Sequence, residues 1–448
     1  MNPGDAPQAA AALDAMDLAR ALAEIVGPDG VVREDLGCWA VDGRVPRAVV
    51  MPRSAEETAR VLAIADRRGL TLTPLGGGTR RLLGNPPNRL DLVLCTRRLD
   101  RILSHAPADL VVTAQAGVPL ERLQSETAKS GQRFALDPSA RPGSTLGGVL
   151  ATNAGGPHRL LYGTARDLVL GIEAALPNGS VIRSGGTVAK NVAGYDLKKL
   201  FLGSLGTLGV ITAVSLKLHA IPAQETLVIA AFPDTAAAGA ASAALLREGL
   251  DLAALDLLNR RALEDVCVEG TPDASRCALL LSLPGAADSG QARAAEAAII
   301  CARMSGQGAR TLSGDEAREV WRRARALGEI PTVLRISVPV GTTAAMAERA
   351  EVILSPVGPT RITARMGNGI VYAWLPAAGE LLLRSVRALR EETAALGGSV
   401  VIEQAPPEEK SGYDAWGDPP RSLSLLRRIK ETFDPNGTLS PGRFVGGI

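Results

Sequence analysis

From residue 45 onward the chain alternates short apolar runs with amphipathic stretches. Residues 47–51 (RAVVM) form a compact apolar run closed by Pro52. Ser54-Ala55-Glu56-Glu57 follows as a capping box, in which a serine hydroxyl and a glutamate carboxylate satisfy orphan amides at a helix start. Val61, Leu62 and Ala65 fall on one face of that helix, and Gly69 ends it. A second apolar run, 70–75, leads straight into Gly76-Gly77-Gly78-Thr79. The pattern predicts strand, helix and strand, then a glycine loop. Two further strands are predicted over 90–95 and 110–115, and a helix runs from Pro119 to a stop at Gly131.

A second glycine-rich stretch runs from Asp137-Pro138-Ser139 through Ser144-Thr145-Leu146-Gly147-Gly148 to Asn153-Ala154-Gly155-Gly156. Residues 169–176 and 181–183, joined by Pro177-Asn178-Gly179-Ser180, predict a hairpin with an Asn-Gly turn. The third glycine-rich stretch is 185–211. Near Pro222 the character changes, and residues 234–400 become alanine-rich. Helices are predicted there over 235–249, 289–304, 341–354 and 378–396, with strands over 279–283, 333–338 and 370–374. A last helix, 422–433, closes in the turn Asp434-Pro435-Asn436-Gly437, and Pro441-Gly442-Arg443 follows. The expected class is α+β, divided into a helical segment 1–40, a glycine-loop domain 41–221, a second α+β domain 222–405 and a C-terminal segment 406–448.

Composition narrows the function. With 46% apolar and 21% charged residues among 448, the chain is an ordinary core-forming protein. Lysine plus arginine number 49 against 47 acids, and aromatics are 3%, so neither a nucleic acid nor an anionic membrane is expected as partner. The five cysteines are widely spaced without a C-x-x-C pair, which points to a reducing compartment and to neither a disulfide framework nor a zinc or iron-sulfur site. The N-terminus lacks a basic signal region, and no apolar run approaches the roughly 18 residues that span a bilayer. A cytoplasmic location is expected. Asn178-Gly179-Ser180 and Asn436-Gly437-Thr438 match glycosylation sequons but read as turns.

Glycine loops let consecutive backbone N–H groups approach an anion, because no Cβ intervenes and positive φ is allowed. A dinucleotide pyrophosphate is the commonest such ligand. Neither G-x-G-x-x-G after a strand nor a P-loop is present, so another fold must hold it.

Pro74-Leu75-Gly76-Gly77-Gly78-Thr79, the segment from Ser144 to Gly156, Tyr162-Gly163 and Gly203-Ser204-Leu205-Gly206-Thr207-Leu208-Gly209-Val210-Ile211 together resemble the FAD-binding domain of the vanillyl-alcohol oxidase and p-cresol methylhydroxylase type, over about residues 40–221. The segment from Val188 to Leu197 (VAKNVAGYDL), with Asp434-Pro435-Asn436-Gly437 and Pro441-Gly442-Arg443-Phe444, further resembles the FAD-binding E subunit of bacterial glycolate oxidase. The resemblance implies a two-subdomain FAD-binding domain with an α+β cap, the C-terminal segment returning to the FAD domain. It implies that Gly76, Gly77, Gly78 and Thr79 meet the FAD pyrophosphate through backbone amides and that Ser144, Thr145, Gly147, Gly148 and Asn153 enclose its other side. Asp137 and Pro138, at the head of that stretch, are counted with them. Val210 and Ile211 would present strand backbone to the adenine part, an approach that Gly206 and Gly209 permit. Lys190 and Tyr195 either approach the isoalloxazine or are a solvated lysine and a packed tyrosine. Relatives that attach FAD covalently often carry a histidine where Thr79 and Arg80 stand here, so the FAD is expected to be non-covalent. His158, read as a polar loop residue, is the one residual attachment point.

Catalytic relatives also use a histidine-rich metal site in the second domain, with a motif like His-Gly-Asp-Gly-Asn-x-His. Here the matching place reads Arg365-Met366-Gly367-Asn368-Gly369-Ile370-Val371-Tyr372, and no histidine follows His219. No metal is expected, and no residue is assigned a catalytic role. Glu403 survives where relatives carry an acid, as a weak ligand set by itself. Arg335, Arg365 and Tyr372 are candidates to clamp a carboxylate, against the alternative of scattered surface arginines. His105 and His219 read as surface or packing residues. The resemblance implies the FAD-bearing subunit of a glycolate-oxidase complex, which passes electrons between a catalytic flavin subunit and an iron-sulfur subunit. The complex would oxidise a small 2-hydroxyacid in the cytoplasm or peripheral to the inner membrane. A self-sufficient D-2-hydroxyacid dehydrogenase without the usual metal site, and a vestigial structural subunit, are the alternatives.

Overall fold

The computed structural model describes residues 17–139, 141–188, 194–266, 276–326, 330–376, 379–410 and 413–448. Three large sheets organise them, two in the first half of the chain and one in the second, with a two-stranded pair of Gln132–Arg133 and His219–Ala220 beside them.

The helix Ala55–Arg67 starts where its capping box predicts. Ser54 Oγ accepts from the Glu57 amide at 3.1 Å, and Glu57 Oε2 accepts from the Arg53 amide at 2.7 Å. Its buried face, led by Val61, Leu62 and Ala65, packs on a four-stranded sheet in which Ala48–Val50, Leu92–Cys95 and Leu72–Leu75 run parallel. Helical residues 17–26 seal the same core with Leu18, Leu22 and Val26. Residues 31–32 depart from the expected helical segment. Val31 and Val32 pair antiparallel with Val50 and Val49, as β-branched residues beside an open sheet edge would.

Five antiparallel strands, in the order Ile102–Ala106, Val111–Gln115, Val210–Lys217, Val169–Ala175 and Val181–Gly185, form the second sheet. The Asn-Gly turn joins the last two, with Gly179 at φ 86° and Asn178 Oδ1 accepting from the Ser180 amide at 3.0 Å.

The third sheet has eight antiparallel strands, ordered Gly308–Ser313, Gln224–Phe232, Cys277–Gly285, Ala254–Asn259, Arg361–Arg365, Ile370–Leu375, Thr332–Ser337 and Ser399–Gln404. Helices Thr235–Glu248, Ala287–Arg303, Thr343–Leu354 and Glu380–Ala395 lie within about two residues of expectation and cover one face, burying Leu245, Ala297, Ala350 and Val386 against Ile362, Ala364 and Val371. Because strand side chains alternate, Asp256, Thr363, Arg365 and Tyr372 are left on the opposite face, toward the glycine loops. Strand Ala254–Asn259 was not expected, because all its residues are buried and it shows no apolar–polar alternation.

The C-terminal segment completes the first sheet. After helix Leu423–Phe433, Leu72 donates its amide to Thr438 O at 2.7 Å and accepts from Ser440 N at 2.9 Å. Asp434 holds that turn through the amides of Thr438 and Leu439, at 2.9 and 2.8 Å. Among the described residues no helix is long and apolar enough to cross a membrane.

Candidate functional site

The strand Leu72–Leu75 ends at a bend built from Gly76, Gly77 and Gly78. A Cβ on Gly76 would overlap Thr145 Oγ1, and one on Gly77 would overlap the Gly143 carbonyl, so the first two glycine loops touch backbone to backbone. Gly78, at φ 71°, instead faces open space. The third loop closes on the same spot, since a Cβ on Gly206 would sit 2.9 Å from Pro74 Cγ. These approaches form a narrow cleft lined by Gly76, Gly77, Gly78, Thr79, Thr145, Gly147, Gly148, Gly206, Gly209, Val210 and Ile211, with Thr73, Thr96 and Arg443 added.

The cleft suits an anion. Among the described residues, the amides from Gly76 to Arg80 donate to no backbone carbonyl or side chain. Thr73 Oγ1 and Thr145 Oγ1 are buried there without a partner. A row of unspent donors on a glycine bend is the donor set a pyrophosphate requires.

The remaining expected residues divide. Ser144 Oγ meets Thr79 Oγ1 at 3.2 Å and thereby ties the second loop to the first. Asn153, at φ 47°, lines a neighbouring cavity of about 550 Å³. Pro138 is buried outside these cavities, and the Asp137 carboxylate is taken by His158 Nδ1 at 3.3 Å and Arg325 Nε at 3.7 Å. Tyr195 is 93% exposed and is therefore not a packed tyrosine. Lys190 lies outside the described residues.

His158 is not a polar loop residue. It is buried beneath the second domain, its Nε2 2.9 Å from Glu225 Oε1 and its ring edge-on to Trp321 and Tyr162. Burial alone would raise the Glu225 carboxyl, but the His158 hydrogen bond and charge, Ser282 and Arg133 outweigh it and bring it down to about 2. Both ring nitrogens of His158 thus face carboxylates, Asp137 on Nδ1 and Glu225 on Nε2. His105 Nε2 pairs with Gln132 Oε1 at 3.0 Å, and the His219 ring packs against Tyr162.

Above the first loop lies a cavity of about 750 Å³, within the size range of small-molecule sites. Its roof is the polar face of the eight-stranded sheet. Arg365 stands opposite Asp256 on one neighbouring strand, and Tyr372 stands opposite Arg335. The Arg365 guanidinium lies 4.8 Å over the Tyr372 ring, a cation–π contact. Glu403 accepts from Arg80 Nη1 at 3.3 Å and forms an ion pair with Arg335, its Oε1 3.1 Å from Nε, and so links the first glycine loop to the roof. The structure thus brings Arg335, Arg365, Tyr372 and Glu403 together. Among the described residues no group of three or more histidine, cysteine, aspartate or glutamate side chains is placed to hold a metal.

Asp256 was not singled out from sequence. It is 7% exposed with no partner for Oδ1, and burial pushes its carboxyl up to about 7 against the pull of Arg365. Nothing local marks it, since its setting depends on strand register with residues far along the chain.

Known proteins agree with this geometry. The family described as FAD binding domain matches residues 46–185, and that described as FAD linked oxidases, C-terminal domain, matches residues 221–444. The chain is 28% identical to glycolate oxidase subunit GlcD of Bacillus subtilis (strain 168), over 95% of this chain and 96% of that protein. It is 31% identical to D-lactate dehydrogenase of Archaeoglobus fulgidus, over 89% of this chain and 91% of that one. The solved structure of p-cresol methylhydroxylase with substrate bound superposes with a TM-score of 0.71 at 16% identity, covering 95% of this chain and 96% of that one, which bears out the fold. The motif resemblance to a glycolate oxidase subunit, read from sequence as the E subunit, is borne out as far as that oxidase, a matching relative being its subunit GlcD. With a glycine cleft suited to a pyrophosphate, a roofed cavity above it and matches along most of its length, the chain belongs to the family of FAD-linked oxidases.

Proposed function

We propose that this chain is the FAD-bearing subunit of a glycolate-oxidase-like complex that oxidises glycolate or a similar small 2-hydroxyacid to the 2-oxoacid. In this reading it relays electrons between a catalytic flavin subunit and an iron-sulfur subunit, in the cytoplasm or peripheral to the inner membrane through those partners. One observation carries it: the flavin cleft keeps its unspent amides, whereas no histidine follows His219, so the second domain lacks the histidines that the resemblance implies for a catalytic metal site. The amides of Gly76, Gly77, Gly78 and Thr79 would hold the pyrophosphate, enclosed by Ser144, Thr145, Gly147, Gly148 and Asn153. Gly206 and Gly209 leave room beside Val210 and Ile211 for the adenine end. The hold is non-covalent, since Thr79 and Arg80 occupy the usual attachment place and His158 is engaged on both nitrogens. When bound, FAD supplies a two-electron acceptor.

A second reading, direct oxidation of a 2-hydroxyacid by this chain, is favoured by the polar atoms that Arg365 and Asp256 leave unpartnered beside the cavity. The visible spectrum of the purified chain separates the two. A yellow protein that bleaches with anaerobic glycolate or D-lactate only after catalytic and iron-sulfur subunits are added supports the relay. Bleaching by the chain alone supports direct oxidation, and a colourless protein overturns both.

A further inference from the structure

We propose that Arg97 is a positioning residue for the glycine floor: it fixes the peptide between Gly77 and Gly78 so that the Gly78 amide, and not the Gly77 carbonyl, faces a bound diphosphate. This goes beyond the reading above and rests on it only in taking that diphosphate to belong to a flavin dinucleotide.

A row of glycines leaves its own orientation open. In a trans peptide the C=O and the following N–H point in opposite directions. With no Cβ on either side, the peptide that joins two glycines turns over at little steric cost, as between type I and type II turns. Turning over exchanges a donor for an acceptor on the same face. One orientation attracts an anion and the other repels it, so a glycine floor needs something outside the loop to choose.

Arg97 makes that choice. Its Nη2 donates to the Gly77 carbonyl at 3.1 Å, and among the described residues no backbone amide shares that oxygen. With the carbonyl drawn to Arg97, the Gly78 N–H points the other way. Gly78 stands at φ 71°, the sign that this orientation requires, whereas the overturned peptide takes a negative φ there. The Gly78 amide donates to no backbone carbonyl, and the place where a Cβ would stand on Gly78 is open.

Arg97 is itself held from two sides. Its guanidinium lies 5.5 Å over the Trp39 ring, a cation–π contact. The turn Leu36–Trp39 is tied to the chain just after the glycine bend, since Arg81 Nη1 donates to Cys38 O at 2.6 Å. The turn Thr96–Arg98 is fixed against the strand before the bend. Thr96 Oγ1 donates to Leu75 O at 3.4 Å, and a Cβ on Gly117 would overlap Thr96 O. Of the three arginines beside the bend, Arg80 is drawn to Glu403 and Arg81 to Cys38, and Arg97 takes the Gly77 carbonyl. A donor aimed into the cleft favours a diphosphate and does nothing for a nucleoside that lacks one. Because the effect runs through the peptide plane and not through the guanidinium charge, salt should not remove it.

The test is titration calorimetry of the full-length chain, stripped of flavin, with ADP as probe and adenosine as its competitor. Arg97→Met should weaken ADP at least about fivefold, leave adenosine within about twofold and leave the urea midpoint in place. The loss should persist at about 1 M salt, where a charge acting through solvent is screened beyond about 3 Å. Arg97→Lys, which keeps a donor for the carbonyl, should restore part of the affinity, and Trp39→Leu should weaken ADP about threefold. Unchanged ADP affinity in Arg97→Met, a parallel loss of adenosine, or a loss that disappears in salt overturns the proposal. Should Arg97→Met misfold, Trp39→Leu carries the test, and its failure to weaken ADP is the overturning result. Colour separates this from the flavin reading. A yellow protein whose Arg97→Met variant keeps its ADP affinity loses the positioning role alone, a colourless one that binds ADP through Arg97 loses the flavin alone, and one that binds neither loses both.

Discussion

The floor and the roof of the central cavity are built by opposite means. The floor is backbone: Gly76, Gly77 and Gly78 offer amides, and Gly147 and Gly148 keep the facing wall free of side chains that would collide or intrude. The roof is side chain: Asp256, Arg335, Arg365, Tyr372 and Glu403 project from a regular antiparallel sheet. A backbone floor can be occluded by one methyl group, yet it has no charge to titrate. A side-chain roof tolerates exchange of chemistry at a fixed geometry, and it carries charges the fold must support. In this chain the floor carries the glycine motifs that resemble those of FAD-binding relatives, and the roof carries Arg365 and Tyr372 in a domain without a histidine after His219.

Four substitutions would break or sharpen that contrast. The largest effect is expected from Lys410→Met, beneath the floor. Lys410 Nζ pairs with Asp42 Oδ1 at 2.6 Å, both side chains fully buried, and also reaches Gly84 O at 3.2 Å. Removing one member of a buried ion pair costs about 3–5 kcal/mol, so the urea midpoint should fall steeply and flavin retention with it. Gly77→Ala drives a methyl group into the Gly143 carbonyl and should cost about 2–3 kcal/mol while leaving the protein colourless after gel filtration. A yellow Gly77→Ala protein would mean that the floor yields, and the contrast would fail.

The roof should respond with the opposite sign. The Asp256 carboxyl is raised in the folded state, so its contribution to stability is intact below about pH 4 and is lost as pH rises through about 7. Asp256→Asn should therefore stabilise the fold at pH 8 and leave it unchanged at pH 4, as read from denaturant midpoints. Loss of stability at pH 8 would show that Asp256 is a structural partner of Arg365. The smallest effect is Ser54→Ala, which removes a helix cap away from both surfaces. It should cost about 1 kcal/mol without changing flavin content.

The same contrast explains what could be read from sequence. Glycine requirements are written locally, so the three loops were legible, as were helices with clear ends such as Ala55–Arg67, with its serine cap, and Thr235–Glu248, which stops at Gly249. The roof was half legible. Arg335, Arg365 and Tyr372 stood out as candidates to clamp a carboxylate and Glu403 by its resemblance to an acid of relatives, but their convergence depends on strand register, which no short segment records. Asp256 was hidden for that reason, inside a strand buried along its whole length. His158 was misread because the groups that bury it, Glu225 and Trp321, arrive from beyond Pro222. The partners of the Asp137 carboxylate, His158 and Arg325, were hidden for the same cause.

The C-terminal segment also sets a timetable. The first sheet borrows Thr438 and Ser440 as neighbours for Leu72, and Arg443 holds the chain just after the glycine bend through the carbonyls of Arg81 at 3.0 Å and Leu83 at 2.6 Å. On the ribosome these residues emerge long after the loops they support. The floor therefore stays unfinished while residues 438–443 are inside the exit tunnel, so the cofactor site cannot be completed when the glycine loops themselves emerge.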